Sequence, residues 1–115
     1  MSENFISREE YMRQVLAAYR ATPQTTGRVH AADRRLVVQL YDRGVPLRAI
    51  ENALVLATAR RLVRPADALP LGTIRSLAYF VPVIEEVLEN KVGQDYFDYL
   101  RFRLPHWLSK TSSTP

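Results

Sequence analysis

The sequence predicts an all-α fold, a compact bundle of four or five helices around a central helix spanning residues 46–63. Three observations carry that expectation. Apolar residues recur at intervals of three and four along most of the chain, the spacing of a helical face. Capping residues, glycine and proline punctuate those runs where helices should start and stop. The single stretch that alternates like a strand, Leu100 to Leu104, has no second strand to pair with, so it too is read as helix. At 115 residues the chain suits one domain with one core. Residues 1–108 are expected to form it, and 109–115 to be a disordered polar tail with Trp107 at its root.

Ser7-Arg8-Glu9-Glu10 has the spacing of a capping box, with Ile6 placed as a staple, so a first helix should begin near Arg8. Tyr11, Val15, Ala18 and Tyr19 form its stripe, which ends before Thr22-Pro23. Pro23, three threonines and Gly27 then mark a loop. A second helix should run from His30 or Ala31 to Arg43, with Leu36, Val37, Leu40 and Tyr41 inward and Asp33, Arg34 and Arg35 toward water.

Gly44 can take the left-handed conformation that closes a helix, and Pro46 suits the first turn of the next. The helix that follows has two apolar stripes. Leu47, Ile50, Ala53, Leu54 and Ala57 make one; Val55, Leu56, Ala59, Leu62 and Val63 make the other, on the side where Arg48 and Asn52 are expected to be exposed. Two stripes require two neighbours, which is why this helix is placed at the centre. The connector Arg64 to Gly72 is too proline-rich to be regular and too apolar to float, so it should lie on the core. Thr73 is a candidate cap for Ile74 to Glu89, which Pro82 either kinks or restarts. Gln94 to Leu104 forms the last helix, with Pro105 as its stop.

Cysteine is absent, which excludes disulfides and thiolate chemistry. No apolar run approaches the roughly 20 residues that span a bilayer, and Met-Ser-Glu-Asn-Phe does not open like a leader peptide. A cytoplasmic protein without membrane attachment is expected. The net charge of +4 is unevenly distributed: residues 20–64 hold nine arginines against three carboxylates, whereas residues 65–100 are net acidic. A basic half suits nucleic acid or an acidic partner.

Catalytic chemistry has little to stand on. His30 and Asp33 are one turn apart without a third ligand or nucleophile, Glu85, Glu86 and Glu89 read as a solvated helix face, and no phosphate loop appears. No enzyme, metal or cofactor is expected. If the second helix and the central helix pack antiparallel across Gly44, then Arg34, Arg35, Arg60, Arg61 and Arg64 converge as a phosphate-binding surface. Tyr96, Tyr99 and Phe102 interleave with Arg101 and Arg103, a pattern that is more often that of core aromatics but is also that of a single-strand stacking platform.

Gly44 to Leu54 resembles the opening of a helix-turn-helix, although Val55 to Arg60 continues the helix where that motif would turn. A resemblance covering more of the chain, residues 36–88, is to the C-terminal helical domain of DnaD-type primosomal proteins. It rests on the helix ending in an aromatic before Gly44, the small residues Ala49, Ala53 and Ala57, and the run Ser76 to Leu88. Of that family's Tyr-x-x-x-Ile-x-x-x-Trp signature, Tyr79 matches, with Val83 and Val87 at the next two positions. The resemblance implies a helical DNA-binding accessory protein of replication or of a mobile element. It adds Tyr79, and Arg75 beside it, to the candidate contacts. The expected partner is therefore DNA or RNA. The alternative is a protein-interaction module, such as an adaptor, inhibitor or antitoxin-like protein.

Overall fold

The computed structural model describes residues 6–90 and 92–112, with side chains through Ser109. Five helices follow in order: α1 (Arg8–Ala21), α2 (Ala31–Asp42), α3 (Leu47–Leu62), α4 (Val81–Glu89) and α5 (Gln94–Ser112), with a 3-10 turn at Leu77–Phe80 leading into α4. Among the described residues, extended pairing is confined to one parallel bridge between Thr25 and Ile74.

α1 starts where its cap places it. The Ser7 hydroxyl accepts from the Glu10 amide at 3.0 Å, while the Glu10 carboxylate turns to Arg13 and Gln14 instead of reaching back. α2 ends at a left-handed Gly44, φ 78°, and Pro46 caps α3 in extended conformation. α3 then runs unbroken for 16 residues. Without a turn after Leu54, no helix-turn-helix forms.

Both stripes of α3 find neighbours, the second only as far as Ala59: Leu62 is half-buried outside the second cluster, and Val63, expected inward, is 57 % exposed. Ile50, Ala53, Leu54 and Ala57 join Tyr11, Val15 and Tyr19 of α1, Val37 and Leu40 of α2, and Leu77, Phe80 and Ile84 in the main core. On the other side Val55, Leu56 and Ala59 pack against Phe97 and Leu100 of α5, with Leu104 and Trp107 at the margin. Burying an apolar side chain stabilises by about 1.5–3 kcal/mol, so α5 is held largely by this second, smaller cluster.

Several expectations are corrected. α2 and α3 do not form an antiparallel pair; they scarcely touch, and α1 packs on both. The left-handed Gly44 followed by extended Pro46 lets the chain swing away, and the α2 stripe is used up on α1 and the 3-10 turn. Asp33, expected in water, is 2 % exposed. Its Oδ1 accepts from the Leu77 amide at 2.9 Å and its Oδ2 from the His30 amide at 2.8 Å. Asp33 therefore ties the start of α2 to the turn before α4. Asn52 is likewise buried, exchanging amide hydrogen bonds with Gln94 at the start of α5.

Thr73 caps nothing, because the next residue, Ile74, is drawn into the bridge to Thr25. The segment from Ile74 is no single helix: Pro82 sits in the first turn of a restarted α4, where its missing N–H has no partner to lose. Pro105 does not stop α5, which runs through it to Ser112. Trp107, on the turn beyond the proline, packs at the edge of the second cluster, and that contact keeps the helix going past one lost hydrogen bond. The tail expected at 109–115 is thus helical backbone to Ser112, and 113–115 lie outside the described residues. No helix among the described residues is long and apolar enough to cross a membrane.

Candidate nucleic-acid interface

The Thr25–Ile74 bridge organises the surface that gathers the arginines. The Ile74 amide donates to the Gln24 carbonyl at 2.8 Å, and the Thr26 amide to the Ile74 carbonyl at 2.9 Å. Ile74 is buried inward, so by the two-residue alternation of extended chain its neighbours Thr73 and Arg75 face out. One hollow on that outer side is lined by Gln24, Arg61, Arg64 and Pro70 to Thr73. The second, of about 550 Å³, is lined by Thr26, Arg28, His30 and Arg75.

Arg61 is the clasp of the first hollow. Its Nε donates to Gln24 Oε1 at 2.6 Å, its Nη1 to the Tyr79 hydroxyl at 3.1 Å, and its Nη2 to the Gly72 carbonyl. Its guanidinium also lies over the Tyr79 ring, 5.5 Å from the centroid, an arrangement that attracts a cation to the ring face. Gln24 holds a left-handed backbone, φ 71°, a conformation uncommon outside glycine and often found where a site constrains the chain. Arg64 Nη1 donates to the Leu69 carbonyl at 2.7 Å. These bonds tether a connector that is otherwise exposed, with Leu69 80 % and Leu71 47 % accessible. The connector was expected to lie on the core through its apolar side chains; it is held by its carbonyls instead.

The seven anticipated residues divide into three groups. Arg61, Arg64, Arg75 and Tyr79 belong to this face. Arg34 and Arg35 are exposed on α2, where the lack of α2–α3 packing removes the expected reason for them to meet the α3 arginines. Arg60 is turned elsewhere: it holds Glu86 through two bonds of 2.8 and 2.5 Å. Arg43 holds Glu85 in the same forked manner at 2.7 and 3.1 Å. Hydrogen bonding from the arginines lowers the pKa of both carboxyls, and both guanidinium pKa values rise in return. Two of the three glutamates of α4, Glu85 and Glu86, are thus neutralised by Arg43 and Arg60, and Glu89 at its end is exposed. Among the described residues no three His, Asp or Glu side chains gather as metal ligands.

Sequence reasoning missed Gln24, Arg28 and His30 as members of this face. Arg28 was visible as one of the excess arginines, but its place beside Arg75 depends on a single bridge, which leaves no periodic trace. Of the candidate stacking residues on α5, Tyr96, Tyr99 and Phe102 are exposed, away from the core. No family model, curated protein or solved structure matches the chain.

Proposed function

We propose that this protein is a non-catalytic accessory protein that binds the phosphate backbone of DNA or RNA through the face flanking the Thr25–Ile74 bridge. One observation carries the reading. Glu85 and Glu86 of α4 are spent on Arg43 and Arg60, while the hydrogen bonds of Arg61 and Arg64 go to neutral acceptors. Their charges are held in place without being cancelled, and Arg28 and Arg75 extend the positive field along the same side. Immobilised guanidiniums suit phosphate, since each can donate through a planar fork and none titrates. Tyr79, 44 % exposed beside Arg61, offers a ring on which an unpaired base could stack. The resemblance of residues 36–88 to DnaD-type domains adds a setting in replication or a mobile element.

Fluorescence anisotropy with labelled single-stranded and duplex DNA and RNA, titrated with salt, tests the proposal. Arg28→Glu with Arg75→Glu should weaken binding about tenfold or more and flatten the salt dependence. Arg13→Glu on the outside of α1 changes charge far from this face and should do much less. No retention at low salt on any of the four nucleic acids, or an equal loss from Arg13→Glu after correction for charge, would refute the reading.

A further inference from the structure

α5 presents a second surface that the basic face does not use. With Phe97 and Leu100 buried against α3, the opposite side carries Asp95, Asp98, Tyr99, Phe102 and His106, the three-and-four spacing of one helical face. Phe102 is 79 % exposed and Tyr99 52 %. Two adjoining aromatics on a ridge, left exposed among the described residues, mark a contact surface. Charge is ordered along this ridge. The acids Asp95 and Asp98 precede the aromatics, and the exposed Arg101 and His106 flank or follow them, while Arg103 is half-buried with its guanidinium over the Trp107 ring. Gln94 anchors the acidic end, donating to Asp98 Oδ1 at 3.0 Å and bonding to buried Asn52 of α3.

A ridge whose acids come before its aromatics, with Arg101 at their flank and His106 beyond them, complements itself when a second copy runs antiparallel. Parallel pairing would set like charges opposite each other. We infer that the protein forms a two-fold symmetric dimer through antiparallel α5 helices. Tyr99 and Phe102 of the two copies form the centre, and Asp98 of each copy lies against Arg101 of the other. Such a contact is isologous, so every favourable pair occurs twice. From Asp95 to His106 the ridge is roughly 17 Å long. One helix pair of that length buries less than the roughly 800 Å² per partner of a standard interface, so the dimer should dissociate on dilution. Pairing holds whether or not the basic face meets nucleic acid.

Sedimentation velocity and light scattering over a hundredfold concentration range read the state directly. The expected mass rises from 13.2 kDa towards twice that value. Phe102→Glu should leave a monomer at every concentration. Asp98→Arg should weaken pairing at least tenfold, and Asp98→Arg combined with Arg101→Asp should restore it, because the pair is exchanged on both copies. These positions are exposed, so circular dichroism should show each variant folded. A wild-type chain that stays monomeric, a dimer indifferent to Phe102→Glu, or a folded double variant that fails to recover would each overturn the inference.

Discussion

Replacing Asp33 with alanine should be among the most damaging single changes outside the apolar core. The carboxylate is 2 % exposed and takes one hydrogen bond from the buried Leu77 amide and one from the half-buried His30 amide. A hydrogen bond to a charged acceptor contributes about 1.5–3 kcal/mol net, and a buried N–H left without a partner bears its desolvation cost besides. The His30 amide lies near the surface and water can recover part of its share. The Leu77 amide cannot be reached so easily. The expected loss is therefore about 3–4 kcal/mol. With an unfolding entropy of roughly 2.1 cal/mol/K per residue, a chain of this length melts about 4 °C lower per kcal/mol, so Tm should fall by roughly 12–16 °C. Asp33→Asn retains one carbonyl oxygen but opposes an amide N–H to the second donor, so at least half the loss should remain. Thermal and urea unfolding followed by circular dichroism measure both variants, and an unchanged m-value would show that the native state itself was weakened. A loss below about 1 kcal/mol for Asp33→Ala would mean that water satisfies both amides, and the tie between α2 and the 3-10 turn would not be a structural requirement. Because that turn carries Tyr79, nucleic-acid retention should decline with it.

Other outcomes follow from the same contacts. Burial raises the Tyr11 pKa to about 12, and its hydroxyl donates to the Val45 carbonyl at 2.7 Å. A folded-state pKa above the ordinary value of 10.0 means that stability is whole below pH 10 and is lost as the pH rises towards 12; two units correspond to about 2–3 kcal/mol. Tyr11→Phe should flatten this alkaline limb in pH-dependent unfolding. Glu85 and Glu86 act in the opposite sense: their depressed pKa values give stability that is present above the ordinary carboxylate pKa of 4.5 and lost as the pH falls through the folded-state values. Glu85→Gln with Glu86→Gln should shallow the acid limb. Gly44→Ala places a Cβ at φ 78° and should cost about 1–2 kcal/mol by chemical denaturation. Pro105→Ala should restore one interior hydrogen bond to α5 and raise stability by about 1–3 kcal/mol, seen as a higher Tm and stronger helical ellipticity.

What could be read directly from the chain was local. The Ser7 cap, the left-handed Gly44, the double stripe of α3 and the ends of α1 and α2 each depend on residues within a turn or two of one another, where spacing maps straight onto a helical face. The long-range pairings were hidden. Asp33 with Leu77 spans 44 residues and Asn52 with Gln94 spans 42; a lone polar residue on a helix reads as solvent-facing until the fold brings it a partner. Pro105 broke a local rule because Trp107 found a distant cluster to pack on.

The arginines divide along the same line. Their number, and their excess between residues 20 and 64, belongs to the sequence and needs no fold to be stated. Which of them keep a net charge was decided only when α4 brought Glu85 and Glu86 to Arg43 and Arg60, and when the Thr25–Ile74 bridge set carbonyl oxygens around Arg61. Spacing along a helix specifies which residues share a face. It cannot specify what that face meets, because the partner comes from elsewhere in the chain, and whether a cation is neutralised depends on the partner.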